Sequence, residues 1–384
     1  MTERADRLRL LKYYTLFAFF VIGVISLLLG QVLPTLSTRL ELNDSQSGTL
    51  FLALFGGSLL GTLFAVKHAR RYGFVVTTLV GLIFMIAGLP GLNFSNFAIC
   101  WGAIFVYGCG LGLTIPAINL LTIETTPAGQ QSGSINLINF AWGVGAICSQ
   151  PFVESASDGE SLVNVTLILD AVLILLAICF LSASRGIGDQ KTHEQILEPG
   201  NRIWHRRSSW LFILFGFFVI GIESGLGGWL TTYSESLPVR GINLTVVFFS
   251  FVVLGRGIAA IVSRRISEES LISICSVTLL TGVFLIVVGE SSATLGAAIA
   301  GLGTSAIFPT NMVRFAKIFG PAATRRATPL FISGIAGSAS LSWLIGSVST
   351  SYGSLRIGIA VLLLAAVFVL LLQTVIVIVF RRAA

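Results

Sequence analysis

The second half of the chain repeats the first. Residues 19–26 read FFVIGVIS and residues 217–224 read FFVIGIES, so six of eight positions are identical at a spacing of 198 residues. Two further matches follow in the same order. Gly61 precedes an Arg-Arg pair by nine residues, as Gly255 does, and the Gly-Leu-Gly triplet at 110–112 recurs at 301–303. We infer that the chain is a duplicated unit.

The composition places both copies in a membrane. The 384 residues are 54% hydrophobic and 11% charged, whereas an average globular domain carries about 25% charged residues. This argues against a soluble enzyme or a nucleic-acid binder. An apolar run of about 20 residues can cross a hydrocarbon core of about 30 Å as a helix. Twelve such runs lie near residues 13–34, 47–66, 74–91, 97–122, 131–152, 162–183, 209–232, 244–262, 270–289, 293–316, 328–348 and 356–380.

The sequence therefore predicts an all-α membrane protein whose twelve transmembrane helices form two pseudo-symmetric six-helix bundles, residues 1–184 and 208–384. The polar stretch 185–207 between them is typical of a linker. Basic residues concentrate in every second loop, and cytoplasmic loops retain an excess of Lys and Arg. We therefore expect both termini and the linker on the cytoplasmic side of a bacterial-type inner membrane.

No motif of an ATPase, a metal enzyme or a redox protein occurs. The five cysteines fall inside the predicted spans, the three histidines fall in loops, and the sequence contains no CxxC, HExxH or Walker-type loop. We expect no enzymatic activity, no metal and no cofactor. The expected partners are a small-molecule substrate and membrane lipid, with no nucleic acid, and the protein is expected to be a monomer.

Two parallel six-span halves joined by a linker are the layout of a secondary transporter. The loop that runs from Gly61 through Arg70 and Arg71 to Gly73 resembles the signature loop of the major facilitator superfamily, with Ala65 where that signature carries an Asp. The resemblance covers essentially the whole chain. It implies the major facilitator fold and alternating access, with Gly61, Arg70 and Arg71 in a gating loop.

Three short segments are similar to the fucose:proton symporter and sodium-dependent glucose transporter-like groups of that superfamily. They are residues 116–119, residues 223–233 and residues 307–310. The similarity implies import of a small polar solute, a monosaccharide, by cation symport. The proton is the favoured coupling ion and sodium remains open.

Glu223 is the leading candidate for the coupling site. It lies 13 residues after Trp210, which is about 20 Å along a helix and too deep to reach the surface. An acid at the centre of a span costs about 2.5–3.5 kcal/mol on insertion scales and usually faces a cavity or a partner. Desolvation favours its protonated form. We expect a proton site or an acceptor for a substrate hydroxyl; a structural carboxyl bonded to neighbouring helices is the alternative.

Aromatic rings and amides within the spans are candidates for sugar binding, since a ring can stack on the sugar and amides both donate and accept hydrogen bonds. The predicted substrate-binding residues are Gln31, Asn119, Asn136, Asn139, Trp142, Trp229 and Asn311. Each amide could instead bond between helices. Tyr233, at the end of span seven, is expected in the aromatic belt at the membrane surface.

Other charged residues fall inside the spans. Arg256 is expected to pair with an anion or with a carboxylate such as Glu124, and to take part in gating. Arg314 is expected to snorkel to the cytoplasmic surface, and Asp170 to form a structural pair or to lie at a span boundary. Three rival functions remain: a proton-driven exporter of drugs or metabolites, an organic-anion carrier that uses Arg256, and a non-transporting sensor or receptor.

Overall fold

The computed structural model describes residues 2–127, 130–184, 204, 208–238, 241–319 and 327–381. These residues form twelve α-helices, two short 3-10 helices at Leu89–Asn93 and Glu290–Ser292, and no named strand. The α-helices are α1 Thr2–Arg39, α2 Asp44–Tyr72, α3 Phe74–Gly88, α4 Phe97–Thr125, α5 Gln131–Ala156, α6 Val163–Ser184, α7 Ser209–Glu235, α8 Leu244–Val262, α9 Glu268–Val288, α10 Ala293–Phe319, α11 Thr328–Tyr352 and α12 Leu355–Arg381.

The prediction of twelve long helices is confirmed. Several run past the predicted spans; α1, for example, covers Thr2–Arg39 rather than 13–34. Hydropathy marks the segment that crosses the hydrocarbon, whereas backbone hydrogen bonds continue the helix into polar sequence. In the described part of the chain, eleven helices are long and apolar enough to cross a membrane. The other helix, α5, is 26 residues long and carries several amides along its length.

The chain divides into two compact units. The first contains α1, α3 to α6 and the part of α2 from Ala53 onward, and the second contains α7 to α12 together with residues 42–52. The first turns of α2 are bonded to α11 in that second unit. The Asp44 carboxylate accepts a hydrogen bond from the Ser349 hydroxyl, and the Ser45 amide donates to Thr350 Oγ1 at 2.7 Å.

In the first unit, α1 and α5 cross at glycines. A Cβ atom at Gly23 would overlap the carbonyl oxygen of Trp142, and one at Gly145 would overlap that of Phe20. The missing side chains let the two backbones touch, which is how helices associate in lipid, where the hydrophobic effect contributes little. Across the same crossing Ser149 Oγ donates to the Val24 carbonyl at 2.9 Å.

In the second unit, α7 and α11 also cross closely at glycines. Gly221 corresponds to Gly23 in the repeat, and a Cβ atom there would lie 2.8 Å from the Gly337 carbonyl oxygen. A Cβ atom at Gly337 would in turn overlap the carbonyl oxygen of Phe217. The repeat found in the sequence is thus also a repeat in helix packing.

Candidate functional site

Glu223 and Arg256 form an ion pair between the middle of α7 and the middle of α8. Their closest atoms, Glu223 Oε1 and Arg256 Nη2, are 3.8 Å apart, and the two side chains are 19% and 32% exposed. This distance exceeds hydrogen-bond reach, so the attraction is electrostatic. The expectation that Arg256 pairs with a carboxylate is confirmed, although the partner is Glu223 on the neighbouring helix and not Glu124.

The ion pair is absent from the corresponding positions of the first repeat. At the spacings of 198 and 194 residues that align the two halves, Glu223 corresponds to Ile25 and Arg256 to Thr62. Ile25 is fully buried, and Thr62 Oγ1 donates to the Gly112 carbonyl at 3.3 Å. The first repeat therefore carries no charged residue at either of these two positions.

Ser224 follows Glu223, and Ser26 follows the corresponding Ile25. Each serine forms a hydrogen bond with a neighbouring helix of its own unit. Ser224 Oγ and Ser338 Oγ, on α7 and α11, are 2.7 Å apart. In the first unit, Trp142 Nε1 donates to Ser26 Oγ at 3.3 Å across α5 and α1. Trp142 is a predicted substrate-binding residue, whereas the serines were not predicted. The identity of Ser26 and Ser224 in the repeat was the signal that could have found them.

The aromatic residues at the end of α7 are buried. Trp229 is 1% exposed; its Nε1 donates to the Ser342 carbonyl at 2.9 Å, and its ring lies 5.8 Å from the Phe51 ring. Its predicted role in stacking on a sugar stays a prediction, since no open ring face is present in this conformation. Tyr233 is 3% exposed and donates to the Ile286 carbonyl at 3.4 Å. Its expected place in a surface belt is therefore wrong.

The predicted amides of the first unit lie on α1, α4 and α5, which pack against one another. Asn119 and Asn139 are half-buried, and each Nδ2 donates to the carbonyl one turn earlier in its own helix, at 2.9 and 2.8 Å. Their amide oxygens have no partner among the described residues and can accept a hydroxyl. Asn136 is exposed, and Gln31 is buried, with 4% of its surface exposed.

Asn311 belongs to a buried polar cluster in the second unit. Arg314 donates to Asn311 Oδ1 and to Gln373 Oε1, both at 2.6 Å, and its guanidinium lies 5.3 and 5.6 Å from the rings of Phe212 and Phe215. The expectation that Arg314 snorkels is wrong, because two amide oxygens and two ring faces hold its charge in the interior. Asn311 uses its oxygen in this cluster, which leaves its buried Nδ2 unpaired among the described atoms.

The expected gating loop is wrong as to its structure, because Gly61, Arg70 and Arg71 all lie in α2, which continues to Tyr72. Gly61 is buried, and a Cβ atom there would overlap the Cys109 carbonyl oxygen of α4. Arg70 and Arg71 are exposed, and Arg71 lies 5.1 Å from the centre of the Tyr72 ring. Gly73 separates α2 from α3 with φ of 87°, a backbone conformation that favours glycine.

Asp170 lies inside α6, so it is not at a span boundary. Its Oδ1 atom is buried without a hydrogen-bond partner, and no ion pair to it occurs in the described part of the chain. The expected structural pair is therefore not formed within the described residues.

The second unit contains a cavity of about 550 Å³ between α2, α7 and α11. Its lining is apolar and aromatic, with Phe217, Phe218 and Trp343 around a single hydroxyl, that of Ser340. A pocket with one hydroxyl lacks the several polar groups that orient a polyol. The polar groups of the predicted site lie elsewhere, on α1, α4 and α5 in the first unit and on α7, α8 and α10 in the second.

The sequence profile of the Major Facilitator Superfamily matches residues 15–328. The chain is 23% identical to the glucose/mannose transporter GlcP of Bacillus subtilis over 347 residues, which is 85% of each protein. It is also 23% identical to a glucose/galactose transporter of Brucella abortus over 317 residues, 76% of each.

Among solved structures, the chain is similar in fold to the fucose:proton symporter FucP of E. coli, with a TM-score of 0.66, 15% identity, and coverage of 95% of this chain and 98% of that one. A D-xylose-proton symporter gives a TM-score of 0.72 at 14% identity, with coverage of 94% and 96%. The nucleoside transporter NupG gives 0.75 at 13% identity, with coverage of 98% and 99%. At these identities the structures establish the shared fold.

Proposed function

Since this chain belongs to the Major Facilitator Superfamily, we propose that it imports a monosaccharide together with a proton. The protein is a multi-pass membrane carrier and not an enzyme. Relatives named as glucose transporters support a sugar substrate, and similar structures named as sugar:proton symporters support proton coupling. The observation that carries the proposal is the Glu223–Arg256 ion pair, which only one of the two repeats contains.

The ion pair supplies a group that binds and releases a proton during transport. Two unit charges about 4 Å apart attract by about 4 kcal/mol at an effective dielectric constant of 20. Protonation of Glu223 removes that attraction and frees the Arg256 guanidinium to donate to substrate hydroxyls. Among the described residues, Arg256 is the one charged group within ion-pair distance of Glu223. The proton would bind to Glu223 and the sugar to Arg256, so both ligands would act on the same ion pair.

Coupling then follows from linkage between the two ligands. A sugar that accepts hydrogen bonds from Arg256 weakens the pair and makes protonation of Glu223 easier. A proton on Glu223 strengthens sugar binding by the same factor, because coupling between two sites is reciprocal. A carrier that binds both ligands more strongly than either alone transports them together.

The first unit, taken by itself, also carries candidate acceptors of substrate hydroxyls. We propose Asn119 and Asn139 as direct acceptors, since their amide oxygens have no other partner among the described residues. Gln31, Asn136 and Trp142 complete this part of the proposed site. The roles of Trp229 and Asn311 in binding require that they leave the contacts described above.

The anion-carrier alternative is not favoured by the structure. An organic anion would need a cation whose charge is free, whereas the charge of Arg256 is already balanced by Glu223. The positive-inside distribution of Lys and Arg supports the proposal that both termini are cytoplasmic and that the protein lies in the inner membrane.

The proposal is tested in proteoliposomes with a panel of labelled hexoses. We expect an inward proton gradient to drive accumulation by up to about tenfold per pH unit for one proton per sugar, since one pH unit is worth 1.36 kcal/mol. Glu223→Gln, which is permanently neutral, should lose accumulation but keep sugar exchange. Glu235→Gln, an exposed acid at the end of the same helix, is the matched control.

A parallel experiment with an inward sodium gradient separates the two coupling ions. Accumulation driven by sodium and indifferent to pH would contradict the proton assignment and keep the sugar assignment. Absence of uptake for every hexose, with an active control carrier in the same vesicles, would overturn the sugar assignment as well.

A further inference from the structure

A groove in the first unit has an apolar body and a basic mouth. It lies between α2, α3 and α4 and has a volume of about 460 Å³, within the range of about 300–1,000 Å³ that small-molecule sites occupy. All three helices are candidate membrane spans. The groove shares no residue with the proposed sugar and proton site, apart from the predicted gating residues Gly61 and Arg71.

The mouth carries three nitrogen-bearing side chains within five residues of α2, namely Lys67, His68 and Arg71. They occupy the last turns of a helix that ends at Tyr72, which places them where the span meets the aqueous surface. No acidic side chain lines the groove in the described part of the chain. The mouth is therefore a site of positive charge without a protein counter-charge.

Contacts with Tyr72 and Thr77 hold the side chains at the mouth of the groove in place. The Tyr72 ring lies 4.7 Å from the His68 ring and 5.1 Å from the Arg71 guanidinium. His68 Nδ1 is 2.9 Å from Thr77 Oγ1, whose own proton is donated to the Gly73 carbonyl at 2.8 Å. Nδ1 therefore donates to Thr77, which anchors the imidazole to α3.

The body of the groove is suited to a hydrocarbon chain. Its walls are formed by Phe64, Val80 and Phe84, of which the two phenylalanines are 54% and 38% exposed. Its floor is formed where α2 touches α4, at the buried residues Gly61 and Leu113. Because Gly61 has no side chain, the groove reaches down to the helix contact.

We propose that this groove binds one anionic phospholipid, with its phosphate at Lys67 and Arg71 and an acyl chain along Phe64, Val80 and Phe84. Charge complementarity selects the headgroup, because basic pockets between transmembrane helices at the membrane surface bind anionic headgroups. The apolar walls select a lipid over a free anion, which would leave the body of the groove empty.

Binding is measured by native mass spectrometry of the purified full chain titrated with phosphatidylglycerol or with zwitterionic phosphatidylcholine. We expect one phosphatidylglycerol to bind in preference to phosphatidylcholine. The Lys67→Gln/Arg71→Gln variant should lose about thirtyfold in affinity for phosphatidylglycerol, from about fivefold for each cation near the surface. Its affinity for phosphatidylcholine should not change.

The matched control is Arg264→Gln/Arg265→Gln. These exposed arginines correspond to Arg70 and Arg71 in the repeat, so the variant removes two positive charges from another loop. It should retain phosphatidylglycerol within about twofold. Equal losses in both double variants, or no preference for phosphatidylglycerol in the unmodified protein, would show a general charge effect and overturn the proposal.

Binding of the acyl chain along the apolar walls is tested separately, by a variant that fills the groove. Val80→Trp should reduce lipid binding at least fivefold, whereas Val76→Trp, one turn earlier on an exposed face of α3 outside the groove, should not. Equal binding by both variants, or displacement of the lipid by millimolar inorganic phosphate, would contradict a lipid-binding site in this groove. These readouts contain no transport step, so their outcome is independent of the proposed sugar symport.

Discussion

The charges of Arg314 and of the Glu223–Arg256 pair, all inside membrane-spanning helices, are stabilised in different ways. Arg314 is 4% exposed, and its charge is stabilised by two amide oxygens, two aromatic faces and the nearby Glu269 carboxylate. The Glu223–Arg256 pair is more accessible and is held by charge alone. The first arrangement is suited to a fixed structural role and the second to a change of protonation.

The structural role of the Arg314 cluster predicts a loss of stability on Gln373→Leu. Gln373 accepts from Arg314 and donates from Nε2 to the Glu269 carbonyl and to Ser273 Oγ, at 3.0 and 3.1 Å. The variant leaves a buried guanidinium donor unpaired, so we expect unfolding to become easier by about 1.5–3 kcal/mol. Thr374→Val, at the next and exposed position, should change stability by less than about 0.5 kcal/mol.

The measurement is thermal or denaturant unfolding of the purified protein in detergent. A Gln373→Leu variant as stable as the Thr374→Val control would contradict the description of this cluster as a structural one.

Pairs of helices in close contact are the units from which each bundle is built. The α1–α5 and α7–α11 crossings use glycines at related positions of the repeat, followed by a serine that bonds to the neighbouring helix. Contacts of this kind need small residues, because packing rather than hydrophobic burial holds helices together in lipid.

At the α7–α11 crossing we expect Gly337→Ala to destabilise the protein by about 1–3 kcal/mol. The added methyl would overlap the Phe217 carbonyl oxygen, and the rigid backbones must separate to make room. Gly257→Ala on α8, whose Cβ would meet no atom within 4 Å, should be neutral or stabilising by up to about 1 kcal/mol, because Ala favours the helix. Equal unfolding midpoints for the two variants would contradict the close crossing.

The helices themselves could be predicted from hydropathy, since each span must avoid water over the thickness of a bilayer. Hydropathy could not predict which residues a single side chain contacts. Hydropathy gave no sign that Tyr233 and Arg314 turn inward, because both types are also found at membrane surfaces and only the neighbouring helices decide. Glu223 was identified because a central acid is rare in a span, and its partner Arg256 became known only from the pairing of α7 with α8.

On the scale of the whole molecule, duplication explains both the fold and its departure from symmetry. Matching glycines and serines preserve the packing of each unit, while Glu223 and Arg256 replace the neutral Ile25 and Thr62 in the second repeat. The charged pair is thus a difference between two repeats whose glycine crossings match.

The loop charges predict that both ends of the chain lie in the cytoplasm. Fusion of green fluorescent protein to either terminus should give fluorescent cells, and fusion of alkaline phosphatase to either terminus should give inactive phosphatase. Matched fusions in the loop between α1 and α2, at Leu42, should give the opposite result. A phosphatase active at the C-terminus would contradict the predicted topology.

Proton movement driven by sugar tests the central claim most directly. Proteoliposomes that contain a pH-sensitive dye, with equal pH on both sides, are mixed with the hexose that the uptake panel identifies. Symport through the Glu223–Arg256 pair predicts acidification of the interior for the unmodified protein and for Glu235→Gln, and none for Glu223→Gln. Acidification that persists in Glu223→Gln, or sugar uptake without any proton movement in the unmodified protein, would contradict the account.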